Sequence, residues 1–266
     1  MRVLDLSTHL PGALTASLLK QQGHTVIRYL PEAHASSFFE DVLLDTYEAH
    51  ETYRYSDAQK LHSELPQTDA LILSLSSRAQ KKLNLSAEVL LKKHPQLRLL
   101  RFFGSNSHKR PVHDLNLQGA LGLLGNPPRV PHAPLIQWIG GYEGALQLST
   151  QNSTRDIRVH LDACVQALLK PWTQNPQKSK PFLSGQFPCY HVYETQDHAW
   201  ISVAAVEHHF WEAWCTLLGR PDLIPSAYDP HALPTVARAI QQHSLAELQT
   251  SLAEKPCCVE PVIPLM

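Results

Sequence analysis

The residues best suited to chemistry lie in three places. His113 and Asp114 stand side by side, with Asn116 close behind, at the start of an apolar stretch beginning at Leu115. An imidazole titrates near neutral pH, which suits it to take and return a proton. The carboxylate next to it either caps the coming helix or steadies the imidazole. Glu207 is placed in a similar way, after an apolar run and ahead of a helical one, where a carboxylate gains from the helix dipole. The third place is glycine-rich: Gly119, Gly122 and Gly125, then Gly140, Gly141 and Gly144. Neither set has the spacing or the preceding strand of a phosphate loop. They read as turn or packing glycines, and a dehydrogenase-type nucleotide cofactor is not supported. There is no G-x-S-x-G elbow, which argues against an α/β-hydrolase. His208 and His209 are adjacent, so on a helix their side chains diverge by about 100° and do not form a metal pair. These residues alone lead to an α/β crevice with one histidine and two carboxylates.

Such a crevice needs strands and helices to hold it. Val3–Leu6 reads as a short strand, Ser7 or Thr8 as a helix cap, and Pro11 as an early helical residue. Gly23 suits the helix stop, and the β-branched run Thr25–Tyr29 a second strand. Helix over 57–65, strand over 70–73, helix from Ser86 to His94, strand over 97–103 and helix over 115–124 continue the alternation. Alternation of this kind predicts a largely parallel, Rossmann-like sheet with ligands beyond the carboxyl ends of its strands. Prolines at 171, 176, 181 and 188 mark a linker or an irregular crossing. Beyond them, Tyr190–Tyr193 and Trp200–Val203 flank a hairpin turn, and helices are expected over 207–218 and 234–253, with a strand-like end from Val259. The class is therefore α/β, with a second, smaller α+β domain.

Composition narrows the partners. With 23 Lys+Arg against 24 Asp+Glu, the formal charge of −1 leaves no sequence-wide basic footprint for nucleic acid or an anionic membrane. Sixteen histidines imply a charge that swings positive on mild acidification. No uncharged apolar run is long enough to span a bilayer, and the start does not resemble a secretory signal, so a cytoplasmic chain is expected. The five cysteines, Cys164, Cys189, Cys215, Cys257 and Cys258, are odd in number and lack C-x-x-C spacing, which predicts free thiols rather than a disulfide framework or zinc site.

Taken in order, several segments resemble the family III CoA-transferases. Val3-Leu4-Asp5-Leu6-Ser7, Pro11-Gly12 and Gly23-His24-Thr25-Val26-Ile27-Arg28 are similar to the opening of that family. Thr68–Ile72 with Lys82–Leu85, then His94–Leu97, resemble its next two segments. His113-Asp114-Leu115-Asn116 is similar to a motif of the racemase branch. The stretch from Phe187 to Trp211 and Cys258–Val262 resemble its C-terminal part. The resemblance implies a Rossmann-like large domain over 1–178 and a smaller α+β domain over 179–266, acting on or binding an acyl-coenzyme A thioester as substrate or ligand, with no further cofactor. It assigns proton abstraction at the carbon α to the thioester to His113. Asp114 and Asn116 would support the enolate region, and Glu207 would orient the histidine or bind at the edge of the site. It also implies a homodimer, interlocked in the family, or a heterodimer with a catalytic paralogue.

The departures from the family carry as much meaning. Where the family has a catalytic aspartate, this chain is read as having Gly141, with Glu143 the nearby carboxylate. The family's basic segment for the coenzyme A phosphates has no clear counterpart over 47–55. Arg54, Arg78 and Lys82 are the candidate substitutes, Arg78 lying close to Ser76, where the family has an arginine. Two functional readings follow: a racemase- or isomerase-like enzyme using His113, or a catalytically inactive relative that binds and scaffolds.

Overall fold

A computed structural model describes residues 1–30, 49–105, 112–125, 127–150, 154–173, 183–255 and 257–263. The chain divides into two compact units, Met1–Lys170 and Pro171–Met266. The boundary expected between 178 and 179 lies outside the described residues.

The first unit is built on six parallel strands: β1 (Arg2–Leu6), β2 (Thr25–Leu30), β3 (Glu51–Arg54), β4 (Ala70–Leu73), β5 (Arg98–Phe103) and β6 (Asp156–His160). Their order across the sheet is β3-β2-β1-β4-β5-β6. The chain first moves outward from β1 to one side and then, from β4, to the other. The turning point between β1 and β4 is where such sheets open a crevice at their carboxyl edge.

The strands form here because both faces are covered, so each reads as an apolar run rather than a polar alternation. Successive side chains still point to opposite faces. Val3, Val26, Ala70, Ile72 and Leu100 pack on one side with α1 (Leu10–Gln21). Leu4, Leu6, Ile27, Tyr29, Leu71, Leu73 and Leu99 pack on the other with Leu61 of α2 (Ala58–Glu64) and Leu90. One polar pair is sealed in the sheet itself: Asp5 and Arg28, register partners on β1 and β2, form an ion pair of 2.9 Å. Burial pushes the Asp5 carboxyl up, against the opposing pull of the Arg28 guanidinium and the Ser7 amide.

Helix α1 begins at Leu10, with His9 as an N-cap whose side chain makes no capping bond, and not at the expected Ser7 or Thr8. The backbone amides of those two residues are already used: Ser7 donates to Asp5 Oδ1 at 2.8 Å and Thr8 to Ser74 Oγ at 2.8 Å. Gly23 ends the helix as expected, in the left-handed region at φ +84°. The sequence reading lacked β3, α3 (Ser77–Lys82), β6 and α7 (Leu161–Thr173). α4 (Ala87–Lys93) matches the helix read from Ser86. α5 (Asp114–Ala120) is shorter than expected, giving way to a turn that includes Gly122 at φ +74°. α6 (Leu135–Ser149) is a full 15-residue helix through the glycine-rich segment.

In the second unit β7 (Tyr190–Glu194) and β8 (Trp200–Ala204) form the expected antiparallel hairpin, and β9 (Val259–Pro261) adds to β8. α8 (His208–Leu217) buries Trp211 and Trp214 against this sheet's core, and the Trp211 indole donates to Leu223 O at 3.1 Å. The single helix expected over 234–253 is two, α9 (Leu233–Ile240) and α10 (Leu245–Glu254). Ser244 divides them by building a capping box with Glu247, its hydroxyl accepting from Glu247 N at 3.3 Å.

Candidate functional site

All six strands of the first unit run the same way, so their carboxyl ends share one edge. That edge carries Ser7 after β1, Arg54 at the end of β3, Ser74 and Ser76 after β4, Ser105 after β5 and His160 at the end of β6. Val112 folds back on the end of β5, so close that a Cβ on Gly104 would lie 2.4 Å from its Cγ2. His113 follows at once, exposed, at the N-cap of α5, and its backbone amide donates to Asn116 Oδ1 at 2.9 Å. Asn116 is thus occupied in shaping the helix start on which His113 stands.

Asp114 is spoken for by structure. It is buried; Oδ1 accepts from the backbone amide of Gln137 at 3.0 Å, and Oδ2 accepts from the Gln118 side-chain amide. Gln137 lies in the first turn of α6, whose own N-cap, Pro134, offers no side-chain acceptor. Asp114 therefore caps α6 from another helix and ties α5 to it.

Gly141 is a packing position. It lies within α6 and faces α1, where a Cβ would approach Leu14 Cδ2 to 2.8 Å and Leu14 Cβ to 3.0 Å. Gly144 meets Phe102 and Thr15 in the same manner, both at 2.7 Å, and the Thr15 hydroxyl donates to Gly141 O at 2.8 Å. Any side chain at 141, a carboxylate included, would have to displace Leu14 while α6 lies on α1. Glu143 is half-buried; it accepts from the Gln147 amide at 2.8 Å and helps raise the neighbouring Cys164 thiol, which burial pushes up to about 11. No hydrogen bond or ion pair joins Glu143 to His113 among the described residues.

The candidate cations separate. Arg54 is exposed at the carboxyl edge. Arg78 is exposed in the first turn of α3, just past the Ser76 N-cap, whose hydroxyl accepts from Ala79 N at 3.3 Å. Lys82 sits at the far end of that helix, away from the edge. Glu207 belongs to the second unit, where it is the exposed N-cap of α8 through its carbonyl, with no side-chain capping bond.

Two edge residues escaped sequence reasoning. The Ser7 hydroxyl is fully buried with no hydrogen-bond partner among the described residues, wedged where a Cβ on Gly12 would come within 2.2 Å of Ser7 Cβ. His160 stacks on Phe103 with ring centroids 5.0 Å apart, and its Nδ1 is likewise buried without a described partner. A polar residue directly after the first buried strand was the available signal for Ser7; His160 had none, since β6 itself was not recognised. The edge offers hydroxyls, imidazoles and exposed guanidiniums, chemistry suited to an anionic, polar ligand, with His113 as an exposed proton acceptor.

The comparisons agree with this architecture. Rv3272 from Mycobacterium tuberculosis, in the crystal structure of a single-residue variant, is 18% identical with a TM-score of 0.77, over 99% of this chain and 81% of that one. A CAIB/BAIF family protein from Brucella suis is 15% identical with a TM-score of 0.76, over 99% of this chain and 83% of that one. At such identities they establish the fold alone. No curated protein matches the chain. The sequence model described as CoA-transferase family III matches residues 56–265, and the chain belongs to that family.

Proposed function

We propose that this chain binds an acyl-coenzyme A thioester at the carboxyl edge of its six-stranded sheet and does not turn it over. The carrying observation is the packing of Gly141 on Leu14, where an added side chain would have to push Leu14 aside. Asp114 is engaged with Gln137 and Gln118, and Glu143 with Gln147, so neither is presented to the thioester as a second acid. Inversion at the α-carbon needs a group on each face of the enolate; loss of one removes roughly 10² to 10⁴ in rate. Arg54 and Arg78, exposed at the edge, are the candidate partners of the coenzyme's phosphates.

A second reading rests on the exposure of His113. A lone imidazole can exchange the α-proton with solvent without inverting the centre. One experiment separates the readings. Calorimetric titration with coenzyme A and acetyl-CoA is expected to show saturable binding, and a panel of 2-methylacyl-CoA esters in deuterium oxide to show no catalysed exchange. Exchange abolished by His113→Ala establishes the second reading, whereas absence of binding overturns both.

Family membership also supports self-association. On α6, Leu135, Trp138, Tyr142 and Leu146 form an exposed apolar stripe, Tyr142 being 60% exposed, and a second copy of the chain is its proposed occupant. Mass measurement in solution checks this; a monomer for the wild-type chain leaves a catalytic paralogue as the partner to test by co-purification.

A further inference from the structure

We propose that the second unit carries an oxyanion site for a small phosphate monoester, independent of the thioester reading above. A cavity of about 290 Å³ lies between the end of α8 and α9, lined by Leu218, Arg220, Thr235, Arg238, Gln242 and His243 together with Ala239. Positions 235, 238, 239 and 242 recur at helical spacing, so one face of α9 and the turn after it present them together. The floor is apolar, since Leu218 and Ala239 are buried. The walls are donors: two guanidiniums, a hydroxyl, a carboxamide and an imidazole.

Among the described residues only one of these two guanidiniums is balanced by a carboxylate. Asp222 engages Arg220 through a two-pronged contact, Nε to Oδ1 at 2.8 Å and Nη2 to Oδ2 at 2.6 Å. That fork fixes the plane of the Arg220 guanidinium and leaves its other terminal nitrogen without a described partner. Among the described residues Arg238 has no carboxylate partner, and its guanidinium meets only the Thr235 hydroxyl, at 3.3 Å. A planar guanidinium matches two oxygens of a phosphate at once, and the neighbouring hydroxyl and imidazole complete a donor set around the third. The cavity is larger than an oxyanion and near the lower end of small-molecule sites, which leaves the apolar floor for the organic part of a monoester.

Calorimetric titration of the full chain with glycerol 3-phosphate, with inorganic phosphate and with glycerol as the uncharged control tests the site. Saturable binding of the monoester, with glycerol silent, is expected. Arg238→Ala should weaken it about tenfold or more, equivalent to about 1.4 kcal/mol, with Arg238→Lys intermediate. Arg238 is exposed, so its replacement should leave the thermal melt unchanged, and that melt distinguishes lost binding from lost folding. Tighter binding of the monoester than of inorganic phosphate assigns the ligand to an ester; equal binding assigns the same site to the free ion. No saturable binding of either, or binding indifferent to Arg238→Ala, overturns the proposal.

Discussion

The backbone amide of Gln137 donates to the Asp114 carboxylate at 3.0 Å, so the acidic neighbour of the candidate proton acceptor His113 serves as the cap of a different helix. This accounts for an acidic residue beside a histidine without giving it catalytic work. Asp114→Asn puts an amide donor against the Gln118 donor or against the α6 amide, and should cost about 1–2 kcal/mol in urea unfolding. His113→Ala, at an exposed position, should stay within about 0.5 kcal/mol of wild type. Equal losses at the two positions would show that His113 is also built into the fold.

Placing a carboxylate at position 141 should fail. Gly141→Asp places its Cβ against Leu14 and should destabilise by about 2 kcal/mol or more, with no α-proton exchange gained in deuterium oxide. Gly141→Ala should be destabilising in the same direction, since Leu14 Cβ, which cannot swing aside, is 3.0 Å from the added atom. A stable, active aspartate variant would overturn both the packing argument and the binding-only reading.

The strand pair β5–β6 is fastened by Asp156, which takes Arg101 at 2.6 Å and Arg158 at 2.7 Å. Partial burial works against the charged form, but hydrogen bonds from Arg101 and Arg158 outweigh it and hold the carboxyl below the usual aspartate range. A depressed native pKa means stability that is present above the ordinary aspartate pKa and lost as pH falls through the native value. Asp156→Asn should therefore be less stable than wild type by about 2 kcal/mol at neutral pH, and the gap should close below pH of about 4. A gap independent of pH would assign the effect to packing instead.

Thiol reactivity should follow burial. Burial pushes Cys189 up to about 11 and Cys215 up to about 12, and Cys257 is raised by the same cause, while Cys258 is exposed. Only thiolates react quickly with a disulfide reagent. In native protein Cys258 should react first and Cys164 slowly, with Cys189, Cys215 and Cys257 released only by denaturant. Prompt reaction of three or more thiols would contradict this packing.

Where a segment's structure depends on its own pattern, the sequence is legible. β1, α1 up to Gly23, β2 and the β7–β8 hairpin follow from apolar runs, a left-handed glycine and a short turn between alternating strands. The edge strand β3 was not, because its residues are mostly exposed on one end of the sheet and lack an apolar run. β6 was missed for a related reason: Asp156 and Arg158 interrupt its pattern, and they become acceptable only once Arg101 on β5 lies alongside.

The sequence by itself determined the α/β class, the placement of candidate chemistry at strand ends and, through ordered segments, the family. Those depend on neighbours in the chain and on side-chain periodicity. The tertiary structure alone decided which groups remain free. Asp114 is occupied by an amide 23 residues away, and Gly141 meets Leu14 across the α1–α6 contact. Hydrogen bonding and close packing are satisfied between residues brought together by folding, so residue type and spacing name the candidates while only the packed chain shows which of them are already engaged.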